Sequence, residues 1–463
     1  MRTYTLKKQP GLPLYESLYR AIREDILTGA LRPGEKLPSK RALASNLEVG
    51  KTTVEGAYNQ LLEEGYISSR ERSGYFVEAV EQRQAPRPAS RHPFPGPEAS
   101  LGADLTGNGT GQFPFSVWIR LQREVILDYG QKLLLPMDSR GALEARQAIA
   151  RSLSDFRGMD VDPENILLGA GTDFLYNLLL QLLGQDKVYA VEDPGYGKIR
   201  KIYAAGGVTC LSVPMDASGI RPDCLGDARV LHLSPAHHFP TGLVTPLHRR
   251  RALIDWAQRV DGFIIEDDYD TEFRFQGRPL APMQTMDPER VIYMNTFSKT
   301  LSPSIRISYM VLPQALMARF REKLGFYACT VSSFEQYTLA RFLEQGRYEQ
   351  HLNRMKTRYR QKRDAVIDAI RRSPLSDRAE ILEQDAGLHF LMVLLTDLDD
   401  RSLRRRAEAM GLRLALLSDY YSQPAAAPQH ILVVNYAGID MDRLPEGLRR
   451  LAQLWEEPSC MTN

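Results

Sequence analysis

Cysteine is scarce in this chain of 463 residues. Cys210, Cys224, Cys329 and Cys460 are scattered, with no CxxC pair and no cysteine–histidine spacing of the kind that holds zinc. Neither a disulfide framework nor a metal site is implied, and reduced thiols in a reducing compartment are expected. Long apolar runs are missing as well. The greasiest stretch, FLYNLLLQLLG at 174–184, is too short to span a bilayer, and the opening MRTYTLKKQPGLPLYES has no apolar signal core. Together these absences point to a cytoplasmic protein. No charge of one sign dominates, since 59 Lys and Arg face 57 Asp and Glu for a formal net charge of +2. Any nucleic-acid surface must therefore be local. Internal repeats are absent too. What is present is a globular composition, 43% hydrophobic and 25% charged, in a chain long enough for two or three domains.

The clearest compositional break is EQRQAPRPASRHPFPGPEASLG, residues 81–102, rich in Pro, Arg, Ala and Gly. Proline at that density favours extended, semi-rigid chain, so this stretch reads as a linker. Before it, Leu14, Leu18, Ile22 and Ile26 recur at four-residue spacing, one stripe of a helix ending near Gly29. RPGEKLPS is a turn delivering Ser39 as N-cap of a short helix, KRALASNL. A third helix, KTTVEGAYNQLLEE, buries Val54, Ala57, Tyr58 and Leu61 and stops at Gly65. YISSRERSGYFV alternates, turns at Ser73 and Gly74, and returns as a two-stranded ribbon.

Three helices and a hairpin describe a winged helix-turn-helix, although any small helical bundle with a hairpin would read alike. The third helix opens with Lys51, Thr52 and Thr53, a cation and two hydroxyls at the end whose free N–H groups attract phosphate. N-terminal residues of such a helix read base edges in the major groove. Arg70 and Arg72 sit at the hairpin tip, where a wing would reach the DNA backbone or minor groove. The charge balance of residues 1–77, 12 Lys or Arg against 9 Asp or Glu, decides nothing. In LRPGEKLPSKRALASNLEVGKTTVEGAYNQLLEEGYISSRERSGYFV the segment resembles the GntR family of bacterial regulators. The resemblance implies DNA contacts from Ser39, Arg41, Lys51, Thr52, Thr53 and the wing residue Gly74.

Beyond the linker, helical patterns such as GALEARQAIARSLSDF alternate with short apolar runs: NILLGAG, KVYAVED, ARVLHLSP, GFIIEDDY, RVIYMNTFS and RISYMVL. Strands separated by helix-length stretches indicate right-handed crossovers and a mostly parallel sheet covered on both faces. Ligands in such folds bind beyond the carboxyl ends of the strands. The chemistry-bearing residues fall there. In LLGAGTDFLYNLL the N–H groups around Gly171 and Thr172 can hold a phosphate, though many strand-to-helix turns contain glycine. VEDPGYGKIR sets Tyr196 on a turn, as a packing residue or a platform for a flat ring. IIEDDYD brings Glu266, Asp267, Asp268, Tyr269 and Asp270 to another strand end, where the plain alternative is a solvated acidic loop.

Lys299 follows the strand VIYMN in TFSKTLSPSIR, between Ser298 and Thr300 and seven residues before Arg306. A lone lysine is most often a solvated surface charge. With Thr296, Ser298 and Arg306 around it, however, the stretch can hold a dianionic phosphate. A lysine amine, a phosphate cradle, a ring platform and a strand-end aspartate are the parts that a pyridoxal phosphate site needs. Here the large segment resembles the fold-type I, class I/II aminotransferases. From about residue 10 to about residue 455 the whole chain resembles the MocR/GabR-type subfamily of GntR regulators, in EDPGY, FPTG, IIEDDYDTEFRF, NTFSKTLSPSIR and AGLHF taken in order.

The resemblance implies a multidomain chain: a winged helix-turn-helix at 10–78, a linker at 79–104 and an α/β, fold-type I, PLP-dependent transferase-like domain with a mostly parallel sheet at 105–455. It implies Lys299 as the Schiff-base lysine, Asp267 as partner of the pyridine nitrogen, chosen over Asp268 from the motif's register, and Tyr269 as a contact to the phenolic oxygen. Tyr196 would stack on the ring, with Gly171, Thr172, Ser298 and Arg306 on the phosphate. A homodimer, operator DNA, and an amine or amino acid effector or pyridoxal 5'-phosphate itself follow as partners.

Three departures bear on function. Aminotransferases carry asparagine before PTG where SPAHHFPTG has Phe239, and His238 is the candidate substitute. The usual glycine after the phosphate arginine is Ser308. The usual carboxylate-clamping arginine near the C-terminus is Val433 in HILVVNYAG, with His430 the nearby cation and Arg413 a candidate to swing in. The first expectation is thus a transcriptional regulator whose former enzyme domain senses a ligand. A working aminotransferase with a DNA-binding head and a cofactor-free dimerisation domain are the alternatives.

Overall fold

The computed structural model describes residues 4, 13–70, 73–79, 113–275, 280–382 and 387–455. Most of the expected linker, together with Arg72 and Cys460, lies outside the described residues. The chain divides into two compact units, one within residues 1–98 and the other within 99–463.

The first unit packs α1 (Leu14–Leu27), α2 (Lys40–Asn46) and α3 (Lys51–Glu63) with an antiparallel hairpin of β1 (Ile67–Arg70) and β2 (Gly74–Val77). Its core is the stripe read from the sequence. Leu18, Ile22 and Ile26 of α1 meet Val54, Ala57, Tyr58 and Leu61 of α3, all buried, with Leu43, Ile67 and Val77 closing the ends. Ser39 caps α2 by accepting from the Ala42 N–H at 3.2 Å. Gly65, at φ +76, lets the Tyr66 N–H turn back to the Leu61 carbonyl and end α3.

The second unit holds an eight-stranded sheet of β3 (Ile166–Gly169), β4 (Tyr189–Asp193), β5 (Cys210–Asp216), β6 (Gly219–Ile220), β7 (Val230–Leu233), β8 (Phe263–Asp268), β9 (Val291–Thr296) and β10 (Ser308–Val311). Their spatial order is β3-β10-β9-β8-β7-β4-β5-β6. The pairs β5–β4, β4–β7, β7–β8 and β8–β9 are parallel, whereas β10 runs antiparallel to both β9 and β3, and β6 antiparallel to β5. Alternate residues feed two cores. Tyr293, Tyr309 and Val311 point to one built with α4 (Phe115–Tyr129), α5 (Leu143–Arg157) and α10 (Ser333–Glu344), while Ile292, Met294 and Met310 point to one built with α6 (Thr172–Leu183) and α9 (Gln314–Lys323). Burial on both faces is why these strands read as continuous apolar runs. Helices α7 (Gly197–Ala205) and α8 (Leu247–Arg259) complete the layers.

The sequence reading did not single out β5 and β6. The first is interrupted by Pro214, which lacks a donor, and only part of its length is buried. After the long α11 (Arg347–Arg371) comes an antiparallel sheet of β11 (Ala379–Leu382), β12 (Phe390–Leu394) and β13 (Ile431–Val434). It shares a core with the end of α11, α12 (Asp400–Ala409) and α13 (Leu444–Ala452).

Candidate functional site

The carboxyl ends of β3, β4, β7, β8 and β9 lie along one edge of the large sheet, with the amino end of β10 between β3 and β9, and each opens into one of the motifs. At the end of β3, Gly171 takes φ +88 and caps α6, whose first residue is Thr172. A Cβ at Gly171 would collide with the Arg306 guanidinium, so glycine is what lets the arginine lie across this turn. Arg306 itself sits in the left-handed region, its Nη2 donating to the Ala170 carbonyl at 3.1 Å and lying 3.6 Å from Asp173.

A chain of hydroxyls runs beside it. Ser308 donates to Thr296 at 2.8 Å and Thr296 to Ser298 at 2.9 Å. Ser308, the departure from glycine, is buried in ordinary extended strand and starts this chain. Lys299 follows Ser298 in the turn after β9 and is exposed.

At the end of β8 the two neighbouring aspartates have different surroundings. Asp268 is held by Arg157, Tyr293 and Thr271, the Tyr293 O–H donating at 2.7 Å. Asp267 accepts from Tyr176 through Oδ2, with His232 Nε2 at 3.5 Å, and His232 Nδ1 in turn meets the Tyr203 hydroxyl at 2.6 Å. Its Oδ1 is buried without a hydrogen-bond partner among the described residues. A buried carboxylate oxygen with no donor is an unmet demand, and it matches a ligand N–H. Tyr176, Tyr203 and His232 were not singled out from the sequence. A histidine inside the otherwise apolar strand VLHL was the one signal available for them.

Tyr269 follows, its hydroxyl 3.4 Å from His237 Nδ1 and its pKa held well above the ordinary value by burial and by Asp270 and Asp267. Of the two histidines in AHHF, it is His237 that stands within reach of Tyr269. His238 is fully buried, bonded through Nδ1 to Thr241 at 2.7 Å, and burial pushes its pKa down to about 3, so it is neutral. Its Nε2 lies 3.6 Å from Glu192, whose carboxyl burial pushes up to about 8. His237 Nδ1 lies 2.9 Å from Asp270, and the His389 ring stands 5.2 Å from that of His237.

Tyr196 is half exposed at the end of β4 and packs edge-on against Phe239 at 6.1 Å. Phe239, in the asparagine slot, also meets Tyr420 at 5.0 Å and His389 at 5.1 Å. Val433 is buried in a cluster with Leu391 and Leu417, against which Phe239, Tyr420 and Tyr421 pack. His430 opens the turn before β13, its backbone N–H donating to Asp400 at 2.7 Å. Arg413 is exposed beside Arg404 and Leu412 past the end of α12.

In the first unit, Lys51 and Thr52 are exposed on the first turn of α3, which carries no acidic residue, and Thr53 is half-buried behind them. Arg41 is exposed on α2. Arg70 lies over the Phe76 ring at 4.5 Å on the wing, and Gly74 takes φ +108 where β2 begins.

The family model described as bacterial regulatory proteins, gntR family, matches residues 14–77. The chain is 35% identical to the uncharacterized HTH-type transcriptional regulator YdeL of Bacillus subtilis, over 97% of this chain and 98% of that one. It is 32% identical to the probable rhizopine catabolism regulatory protein MocR of Rhizobium meliloti, over 96% and 94%. A solved kynurenine aminotransferase of Pyrococcus horikoshii shares the fold at a TM-score of 0.66 and 23% identity, over 77% of this chain and 91% of that one.

Proposed function

This chain belongs to the MocR/GabR-type subfamily of GntR transcriptional regulators, and from that membership we propose that its winged helix reads operator DNA while its aminotransferase-like unit holds pyridoxal phosphate and senses an amine, an amino acid or the cofactor itself. The observation that carries this reading is the buried Oδ1 of Asp267, which has no hydrogen-bond partner among the described residues.

When bound, the cofactor supplies an aldehyde carbon for a primary amine and a protonated pyridine ring that withdraws electrons. Lys299 offers the amine that would hold it. Asp267 would take the ring N–H on Oδ1, its other oxygen accepting from the Tyr176 hydroxyl. Ser298, Arg306 and the Thr172 N–H at the helix end that Gly171 caps would hold the phosphate, the Gly171 N–H itself donating to the Gly169 carbonyl at 2.8 Å, so that a positive helix end and a guanidinium meet a dianion. Tyr196 would cover the flat ring, and Tyr269 would donate to its phenolic oxygen.

Sensing is favoured over turnover by Val433. Its slot belongs to a packed apolar cluster, which cannot fork onto an α-carboxylate and orient the Cα–H bond for proton removal. A homodimer is supported by the apolar side chains the second unit exposes on and just after α4, where Phe115, Ile119, Leu127, Leu134 and Leu135 are 60 to 74% exposed.

Absorbance scans of the purified protein during titration with amines, with and without operator DNA, test the reading. A visible band reducible by borohydride is expected, lost in Lys299→Ala. DNA should change amine affinity by the factor by which amine changes DNA affinity. A colourless protein, or the same band in Lys299→Ala, overturns it. Sustained formation of keto acid from α-amino donors would promote the aminotransferase alternative.

A further inference from the structure

We propose that His237, held by Asp270, is a positioning residue for Tyr269: its Nδ1–H turns the tyrosine's own proton outward, toward the oxygen of the ligand bound at Lys299. The inference rests on the cofactor reading above and adds to it a residue that neither the motif nor the strand-end geometry assigns.

The argument begins with one nitrogen. His237 Nδ1 lies 2.9 and 3.1 Å from the two carboxylate oxygens of Asp270, and 3.4 Å from the Tyr269 hydroxyl oxygen. An ionised carboxylate only accepts, so Nδ1 must carry the hydrogen. A nitrogen that carries a hydrogen cannot accept one in the ring plane. Tyr269 therefore cannot donate to it, and the tyrosine oxygen is left to accept a share of the Nδ1–H while its own proton points elsewhere. Burial, with Asp270 and Asp267 nearby, keeps Tyr269 a neutral O–H donor.

The imidazole is fixed from several sides. Asp270 is 1% and His237 4% exposed. Gly387, at φ +70, lies so close that a Cβ there would strike the imidazole Cε1. The His389 ring stands 5.2 Å away, its Nε2 bonded to the Pro240 carbonyl at 3.0 Å. His389 adds no charge near neutral pH, because burial pushes its pKa down to about 4, with His237 and Lys299 also opposing its protonation. Among the described residues, the titratable groups facing His237 include Asp270 and Tyr269 after β8 and His389 before β12, with His238 next to it in the chain. The pair Asp270–His237 is the fixed part, and Tyr269 the part it aims.

A donated hydrogen bond stabilises the more negative form of its acceptor, so losing it raises the pH at which that acceptor gives up its proton. The test is a pH titration of the visible band of protein loaded with pyridoxal phosphate, for wild type, Tyr269→Phe, His237→Leu, His237→Gln and the double variant Tyr269→Phe/His237→Leu. The midpoint should rise by about one pH unit or more in Tyr269→Phe. It should rise in the same direction in His237→Leu, and the double variant should match Tyr269→Phe alone, since both changes act through one hydrogen bond. His237→Gln, which keeps an N–H donor, should recover most of the wild-type midpoint. An unmoved midpoint in His237→Leu while Tyr269→Phe shifts overturns the proposal, as do shifts that simply add. A wild type with no band fails the cofactor reading and the proposal together. Should His237→Leu not fold, a wild-type titration for Tyr269→Phe, or for His237→Gln a midpoint as high as that of Tyr269→Phe, overturns it equally.

Discussion

Asp267 and Asp268 are identical side chains one residue apart, and the partners they find on opposite faces of β8 separate them. Asp268 neutralises Arg157, both side chains being more than nine-tenths buried, and removing one partner of such a pair leaves an uncompensated charge inside the protein. Asp268→Asn is therefore expected to lower stability by about 3–5 kcal/mol, read as a large fall in the melting temperature. Asp267→Asn should leave the melt of the cofactor-free protein nearly unchanged and reduce retention of pyridoxal phosphate by about tenfold or more, measured by dialysis and absorbance. Equal effects from both would show that the two carboxylates had been assigned wrongly.

Glu192 makes a second residue-scale case. Burial pushes its carboxyl from 4.5 up to about 8, so between those values the folded chain holds a proton the unfolded chain has released. Its contribution to stability is present below about pH 4.5 and is lost as pH rises toward about 8. Glu192→Gln keeps the neutral form at every pH. The gap between wild-type and Glu192→Gln melting temperatures should accordingly widen from pH 5 to pH 8, to the disadvantage of wild type, in melts of the cofactor-free protein at about those two pH values.

Single elements carry the next level. Helix α3 presents Lys51 at an end free of acidic residues, where the exposed N–H groups and the cation add. Lys51→Ala should weaken operator binding and reduce the slope of log affinity against log salt by about one, in fluorescence anisotropy at several salt concentrations. A slope and affinity equal to wild type would remove α3 from the DNA contact. At this scale much could be read in advance: four-residue spacing exposed α1, the Ser39 cap exposed α2, and continuous apolar runs exposed β3, β4, β7, β8, β9 and β10. Where reading failed, the local signal was weak. Pro214 interrupts β5, and β6 is two residues long. Nothing in RISYMVL distinguishes an antiparallel from a parallel neighbour, because side-chain alternation is the same in both.

For the whole molecule, the question is how many chains act together. The exposed apolar side chains on and after α4 form a surface that a soluble monomer rarely leaves open, and a two-fold partner covering its own copy of that surface would hide both. Leu127→Glu, 72% exposed in the single chain, is expected to shift the protein from dimer to monomer in sedimentation while the far-ultraviolet dichroism stays the same. A wild type already monomeric at micromolar concentration would rule out the dimer.

Local patterns were enough to reveal the winged helix, the α/β second unit and the cluster of motifs at its strand ends, because helix stripes, caps and buried strands are set by residues a few positions apart. The pairings across long separations needed the folded chain. Tyr176 and Asp267 are 91 residues apart, Arg157 and Asp268 111, and Gly171 clears Arg306 over a still longer span. No periodicity links such residues, so what surrounds each aspartate, why Asp267 keeps an oxygen without a partner among the described residues, which histidine reaches Tyr269 and what packs around Val433 were decided by packing. Burial then set their chemistry, since the cost of charge in a water-free interior depends on every group brought against it.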